Sequence, residues 1–545
     1  MNVDDKLSIA GYAYPLSVKA GEAVDFHISS NASCYSIEIS RIGFDRRVVW
    51  NRKGLKGEQH AIPENAFSHG CRWPVALELK VPEDWLSGYY HVQLQGEDRN
   101  GQTARGQLFF VVRSAHPGRD SSILLQLTTN TANAYNTWGG ASLYRGTHGP
   151  STRVSFERPY AGMSEQDGLF LFSMDAACVP ELDHGVASEE FRSEFQKQVE
   201  AYSVPSIDLS ASAMISSLHL QDQWLLCDHV GLGPAAYHVR READRLDVRE
   251  AITWWESGWR NWEMPFVAWA EGEGYRLDYA LNADLEFHPE ILEHYHLVLS
   301  VGHDEYWSAP MRDHLEAYIA NDGNVAFFSG NTAWWQVRSE DEGRAIVCYR
   351  DPGKDPFYAG GDHRLLTTVW CHRLIGRPEN QLTGVSFAYG GYARFFDQFV
   401  ESPGAYTVHK PDHWMFEGTG LQRGDLLGES DRIVQYECDG CDFELNDGLP
   451  VATGLDGTPS SFEILATAPA GLTDFDGSND QIADALYNNH AGSVHPYPGS
   501  AVLGSYTSGG TVVTTGCTHW AYGLRGNDKT VERITRNILD RLSKP

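Results

Sequence analysis

Residues 295–331 restrict the fold more than any other part of the chain. His296-Leu297-Val298-Leu299-Ser300-Val301 is a nearly continuous apolar run, the pattern of a strand covered on both faces. It leads through Gly302-His303-Asp304-Glu305 into a helical stretch at about residues 309–321, with Ser308 and Pro310 as start signals and Gly323 as the stop. Val325-Ala326-Phe327-Phe328 then reads as a second strand. A strand, helix and strand at this spacing make a βαβ unit, whose right-handed crossover lays the two strands side by side in parallel. The turn His303-Asp304-Glu305 and the turn Ser329-Gly330-Asn331 are therefore expected at one edge of the sheet, where open α/β sheets gather ligands. A first strand at Ile123–Leu127 is expected to deliver the loop of residues 128–136 to the same edge. The plain alternative for three ionisable residues in a row is a solvated turn that caps the next helix.

The chain before this unit follows a different period. Segments such as Ala23-Val24-Asp25-Phe26-His27-Ile28, Val75-Ala76-Leu77-Glu78-Leu79 and Tyr89-Tyr90-His91-Val92-Gln93-Leu94 alternate with a period of two. Asn100-Gly101 supplies a hairpin signal, and no helix of useful length fits between the strands. About seven short strands in residues 1–113 predict an immunoglobulin-like β-sandwich, with 113–118 as the linker. Residues 118–545 predict an α/β domain with a mostly parallel sheet, of glutamine-amidotransferase-like or flavodoxin-like type, carrying β-rich additions. Within it, residues 165–262 read as an inserted or lid-like segment with a helix at 188–202. Residues 380–525 read as the β-rich part, and the chain closes with a strand pair near 511–515 and a helix over about 528–542.

A chain of 545 residues exceeds one ordinary core, so several domains are expected. Its formal charge of −30 repels phosphate backbones and anionic lipid, which argues against nucleic-acid and membrane partners. The N-terminal stretch carries early acids and no apolar h-region, so no secretory signal is expected, and no run approaches the roughly 18 apolar residues that span a bilayer. Nine scattered cysteines fit reduced thiols in a cytoplasmic protein. The single CxxC, Cys438 and Cys441, lacks the second ligand pair of a zinc site.

The residue patterns exclude several chemistries. A nucleophile elbow needs Ser or Cys at the strand-to-helix turn, and Gly302-His303-Asp304-Glu305-Tyr306 has neither. HExxH, P-loop and GxGxxG patterns are also missing. What remains is a histidine and hard oxygen donors, with Tyr135, Tyr144 and Tyr160 in loops; carboxylate and phenolate oxygens suit a hard, highly charged metal. For each tyrosine the ordinary reading is packing.

The motifs AYNTWGGASLY (134–144), VSFERPY (154–160), LVLSVGHDEYWSAPMRDHLEAYI (297–319), NVAFFSGNTAWWQVR (324–338), IVQYECDGCDF (433–443) and THWAYGL (518–524) resemble, in the same order, the large subunit of N,N-dimethylformamidase. The resemblance covers most of residues 120–545. It implies a mononuclear iron, Fe(III), held by two tyrosine phenolates and one glutamate. Glu305 falls on the carboxylate ligand; Tyr135 and Tyr160 are the chosen phenolates, with Tyr144 as the competitor for either place. The resemblance puts His303 beside the metal, makes Asn331 and Glu437 polar pocket residues, and leaves Asp304 only the turn to hold. The family pattern suggests a lysine after Cys348-Tyr349, where this chain has Arg350, with Lys354 four residues on; a guanidinium does not serve as a neutral amine base.

The implied activity is iron-dependent hydrolysis of the C–N bond of small N-substituted amides to carboxylate plus amine. His303 and Glu437 would handle the proton, and Asn331 would donate to the oxyanion. Trp138, Trp334 and Trp335 are candidates for an aromatic wall, with core packing as the equal alternative. The resemblance also implies a small accessory subunit and a homo-oligomer. Hydrolysis of another amide, an ester or a carbamate on the same site is one alternative, and a non-catalytic ligand- or polymer-binding protein on the same scaffold is the other.

Overall fold

Two kinds of sheet divide the chain, as the change of period predicts. The computed structural model describes residues 7–144, 146, 149–160, 258–393, 402–471 and 499–544, which belong to a unit formed by Met1–Met163 and Ala251–Pro545. The expected helix at 188–202 and nearly all of the lid-like reading of 165–262 lie outside the described residues.

The N-terminal strands form two sheets. One has the order Ile9–Tyr14, Ala23–Ser30, Leu77–Lys80; the other has the order Ser17–Lys19, Thr103–Arg113, Gly88–Glu97, Cys34–Ile42, Arg46–Lys56. Alternate residues of both, including Val24, Phe26, Ile37, Ile39, Val92 and Phe110, meet in one buried cluster, so the period-two pattern becomes a sandwich core. The turn at Asn100-Gly101 joins Gly88–Glu97 and Thr103–Arg113, with Gly101 at φ +78° and Asp98 Oδ1 accepting from the N–H groups of Asn100 and Gln102. The only helix between these strands is a single turn, Ala66–His69.

The second part is built on a nine-stranded sheet. Its order is Asp278–Leu281, Ile123–Leu127, Leu297–His303, Asn324–Gly330, Gly510–Thr514, Gly499–Ser508, Glu463–Ala470, Tyr406–Val408, Leu426–Leu427. The first five strands pair in parallel and the last four pairings are antiparallel. The sheet is thus mixed, where a mostly parallel one was expected. The physical reason is the tight connection at Gly509 (φ +81°), which folds residues 499–508 straight back on 510–514 with no crossover helix. Helices are few, and among the described residues none is long and apolar enough to cross a membrane.

The βαβ unit forms as its pattern predicts. Leu297–His303 pairs residue for residue with Asn324–Gly330, from Leu297 opposite Asn324 to His303 opposite Gly330. Between them, Ala309–Ala320 starts at Ser308, whose side chain accepts from Met311 N, and buries Met311, Leu315 and Ile319 against Val298, Val325 and Phe327. Each such side chain contributes about 2 kcal/mol of burial. The segment after Ile123–Leu127, expected to be a loop, is a short helix, Thr129–Tyr135; Asn130 N there donates to Asn282 Oδ1, so a neighbouring strand tip satisfies a free helix-end donor.

The sandwich is fastened to this part by polar anchors. Arg113 and Ser17 both reach Asp284, Arg41 pairs with Glu271 at 2.7 Å, and Tyr89 stacks on Trp259 at 4.2 Å. Glu263 makes a further tie: its Oε1 accepts from Thr128 N at 3.1 Å and Thr128 Oγ1 at 2.8 Å, fixing the tip of the Ile123–Leu127 strand to the helix Glu263–Gly272.

Burial pushes the Glu263 carboxyl up to about 7, against the lowering effect of its bonds from Thr128. A carboxyl with a raised folded-state pKa ionises first in the unfolded chain, so its contribution favours folding at low pH and is lost as pH rises through about 7. Glu263→Gln keeps the Oε1 acceptor and should remove up to about 3 kcal/mol of the stability change between pH 5 and 8. Denaturant midpoints at both pH values test this; identical pH dependence in wild type and variant would contradict it.

Candidate active site

Where the strands Leu297–His303 and Asn324–Gly330 end, their tips carry the residues that the sequence singles out. Successive side chains on an extended segment point to opposite sides, so His303 and Glu305 face one way and Asp304 the other. Asp304 accepts from Asn282 Nδ2 at 3.1 Å and Ser300 Oγ at 2.8 Å, while its carbonyl accepts from Trp307 Nε1 and Ala333 N. It holds the turn. Gly302, at φ +85°, makes the turn fit: a Cβ there would lie 2.3 Å from Trp262 Cβ.

Glu305 is 2% exposed and is surrounded by donors. Tyr144 Oη and Trp335 Nε1 donate to Oε1 at 2.6 and 2.8 Å, Tyr135 Oη donates to Oε2 at 2.8 Å, and Thr131 Oγ1 accepts from the Glu305 N–H. The two phenol oxygens are 3.0 Å apart and their rings stack at 4.3 Å. Burial pushes the Glu305 carboxyl up to about 7; His303 and the phenol donors lower it, and Glu437 raises it. Burial, and next the charge of Glu305, holds the Tyr135 and Tyr144 hydroxyls well above the usual phenol range.

A second polar group adjoins the first. His303 Nε2 lies 2.6 Å from Glu437 Oε2 and 3.3 Å from Glu305 Oε2, so the imidazole joins two carboxyls. Asn331 Nδ2 donates to the same Glu437 oxygen at 3.2 Å, and Asn331 Oδ1 has no partner among the described residues. The His303 ring is flanked edge-on by Trp262 at 5.9 Å and Tyr436 at 5.7 Å. His303, Glu305, Asn331, Glu437 and Tyr135 thus assemble from four separate chain segments.

Arg350 stands on the phenol side. Its guanidinium lies 3.7 Å from the centroid of Tyr144, 5.2 Å from that of Trp335, and donates to Tyr306 Oη at 3.2 Å. Tyr306 Oη in turn donates to Tyr144 Oη at 2.6 Å. Burial opposes the charge of Arg350, but Tyr306 and Tyr144 outweigh it and move its pKa above the ordinary value. Arg350 is placed to steady negative charge on a phenol oxygen.

Tyr160 is the residue that the structure does not bring to Glu305. It packs edge-on against Phe109 of the sandwich at 5.4 Å, and its hydroxyl has no hydrogen-bond partner among the described residues. Arg158 explains the divergence. Fully buried, it donates to the carbonyls of Ser155, Trp138, Ala141 and Asn133 and to Asn133 Oδ1. These bonds pin the turn between Tyr135 and Tyr144 so that both phenols converge on Glu305. Trp138 likewise packs on Trp73 of the sandwich at 5.8 Å, away from the carboxylates, whereas Trp335 donates to Glu305.

The sequence patterns missed Tyr306, Arg158 and Asp439. Tyr306 had a local signal, since it directly follows Glu305. Asp439 alternates with Glu437 on the strand Tyr436–Gly440, which also puts it on the same side. Arg158 had none, because its partners are backbone carbonyls. Cys438 and Cys441 are buried free thiols.

Comparison with known proteins agrees with this arrangement of motifs. Residues 36–193 and 233–533 match the family described as N,N-dimethylformamidase beta subunit-like, C-terminal. The chain belongs to that family. Two similar relatives are both named N,N-dimethylformamidase beta subunit: one from Paracoccus aminophilus, 24% identical over 311 residues, and one from Alcaligenes sp, 25% identical over 305 residues. Each alignment covers 52% of this chain but only 37% of the relative, so the match spans little more than a third of those proteins. Among solved structures, CopC from Methylosinus trichosporium OB3b aligns with 19% of this chain and 96% of its own, at 20% identity and a TM-score of 0.13, too small an overlap to bear on the fold.

Gly302→Ala should force both a left-handed alanine and a clash with Trp262, lowering stability by about 3 kcal/mol. Urea unfolding of the variant tests this. An unchanged midpoint would show that the close approach of Gly302 to Trp262 does not set the turn.

Proposed function

We propose that this chain is an iron-dependent amidohydrolase that cleaves small N-substituted amides, such as N,N-dimethylformamide, to carboxylate plus amine. The observation that carries the reading is the convergence of Tyr135 Oη and Tyr144 Oη on the two oxygens of Glu305, with the His303–Glu437–Asn331 group alongside. The donor set fits ferric iron: two phenols and a carboxylate, all hard oxygens, within 3.0 Å of one another. Tyr135 and Tyr144, with Glu305, are the ligands we assign, and Tyr144 replaces Tyr160 in that role. Both phenols are otherwise held protonated, so binding the cation would release their protons, a cost met by a trivalent ion better than by a divalent one.

When bound, the iron would supply Lewis acidity toward the amide carbonyl and a lowered pKa for water. The chain's own residues do the rest. Glu437 and His303, 2.6 Å apart, take the proton from the attacking water and return it to the amine nitrogen as the C–N bond breaks. One Nδ2 hydrogen of Asn331 is committed to Glu437, and we assign the other to the carbonyl oxygen of the substrate. Arg350, through Tyr306, stabilises the Tyr144 oxygen when it carries charge. Ser329, near the end of Asn324–Gly330, bonds to Thr332 and Ser300, and among the described residues no histidine is bonded to it, which speaks against an acyl-enzyme route.

The two-sheet sandwich supports an immunoglobulin-like reading of the N-terminal part, and the parallel half of the large sheet supports kinship with glutamine-amidotransferase-like folds. The name beta subunit in the relatives supports a small accessory subunit for this chain as well.

The purified full chain should contain iron and release amine from N,N-dialkylamides. Glu305→Gln and Tyr144→Phe should each lose most of the iron, Tyr160→Phe should keep it, and Glu437→Gln should keep iron while slowing turnover by about 10²–10⁴-fold. Metal analysis and amine release on the same preparations are the test. Iron lost from Tyr160→Phe and kept in Tyr144→Phe would overturn the ligand assignment, and full turnover in iron-free protein would overturn the reading as a whole.

A further inference from the structure

The Asn331 turn adopts a conformation that side-chain-bearing residues avoid. Asn331 and Ala333 have φ of +50° and +55°, in the left-handed region, which asparagine tolerates but which costs an alanine roughly 1 kcal/mol or more. Such a turn persists only when other contacts hold it. Asp439 makes them: its Oδ1 accepts from Asn331 N at 2.9 Å and its Oδ2 from Thr332 N at 3.1 Å. The carboxylate is 1% exposed, and among the described residues no arginine or lysine pairs with it. A carboxylate buried in this way is costly unless hydrogen bonds compensate it, and the N–H groups of Asn331 and Thr332 do so.

The same strand carries the neighbour of Asn331 in the site. Glu437 and Asp439, two residues apart on Tyr436–Gly440, lie on one face; Glu437 meets the Asn331 side chain and Asp439 meets its backbone. Gly330 allows the approach, because a Cβ there would lie 2.4 Å from the Glu437 carbonyl oxygen and 2.7 Å from Thr518 N. The strand is itself held by Asp439 N on Gly516 O and Thr518 N on Glu437 O. The turn is thus clamped from one strand at two points.

We propose that Asp439 is a positioning residue for the reaction: by binding the N–H groups of Asn331 and Thr332 it sets where the Asn331 amide stands relative to Glu437 and the substrate carbonyl. The proposal rests on the amidohydrolase reading above and adds to it the device that aligns the oxyanion donor. Asp439 touches neither substrate nor the assigned iron ligands, and it acts only through Asn331.

The test is a double-mutant cycle in the iron-containing full chain, with Asp439→Asn, Asn331→Ala and the pair assayed for kcat, KM and iron content. Asp439→Asn should lower kcat about 10–100-fold with KM within about threefold and iron unchanged, and in the Asn331→Ala background it should cost nothing further. Multiplicative losses, an unaltered kcat, or loss of iron with the rate overturns the proposal. If Asp439→Asn fails to fold, Asp439→Ser, which keeps one acceptor, takes its place in the cycle. A wild-type chain with no amide turnover sinks the amidohydrolase reading instead. Crystals of the variant then decide for Asp439 alone: Asn331 displaced from Glu437 supports the clamp, and Asn331 in its wild-type place overturns it.

Discussion

A carboxylate buried without an arginine or lysine in direct contact is the constraint around which the rest of the structure is arranged. Glu305 has two phenols and an indole on its oxygens, and an imidazole 3.3 Å away. None of these donors is close to it in sequence except His303. Tyr135 comes from the end of a short helix, Tyr144 from the following turn and Trp335 from a later strand. Assembling them requires that several strand tips arrive at the same place, which the parallel half of the sheet provides.

The neighbouring parts of the molecule keep those tips in register. Arg158 fixes the Tyr135–Tyr144 turn through backbone carbonyls, and Glu263 fixes the tip of the first strand. The sandwich contributes bulk: Trp73 and Phe109 fill the space beside Trp138 and Tyr160. Burial then does the electrostatic work. Burial raises the carboxyls of Glu305 and Asp439, and an already acidic chain places two carboxyls, Glu305 and Glu437, on the one ring nitrogen of His303. Such a group is short of positive charge. A trivalent cation held by phenolates would supply it.

Local pattern made part of this legible in the sequence. The strand Ile123–Leu127 and the helix within the βαβ unit form where expected, because apolar period and capping act over a few residues. His303, Glu305 and Asn331 come together because the paired strands Leu297–His303 and Asn324–Gly330 end side by side, whereas Glu437 arrives from Tyr436–Gly440, a strand of a separate two-stranded sheet. What the sequence did not reveal depends on long-range contacts. Residues 128–136 looked like a loop, but Thr129–Tyr135 closes as a short helix whose Asn130 N–H is taken up by Asn282 Oδ1, 152 residues away. Tyr160 and Tyr144 were equivalent as loop phenols, and tertiary contacts separate them: Tyr144 donates to Glu305 while Tyr160 packs against Phe109 of the sandwich. The antiparallel half of the sheet was legible only as a β-rich stretch with a strand pair near 511–515: its joining to the parallel half is decided by the hairpin at Gly509 and by the pairing of Glu463–Ala470 with Gly499–Ser508, not by the pattern within any one strand.

The central claim is that Tyr135, Tyr144 and Glu305 together hold a ferric ion. Crystals of the iron-loaded full chain, measured on both sides of the iron absorption edge, test it most directly through an anomalous difference map. One peak is expected, within bonding distance of Tyr135 Oη, Tyr144 Oη and a Glu305 carboxylate oxygen. A peak bonded to Tyr160, or iron only at surface carboxylates, would contradict it.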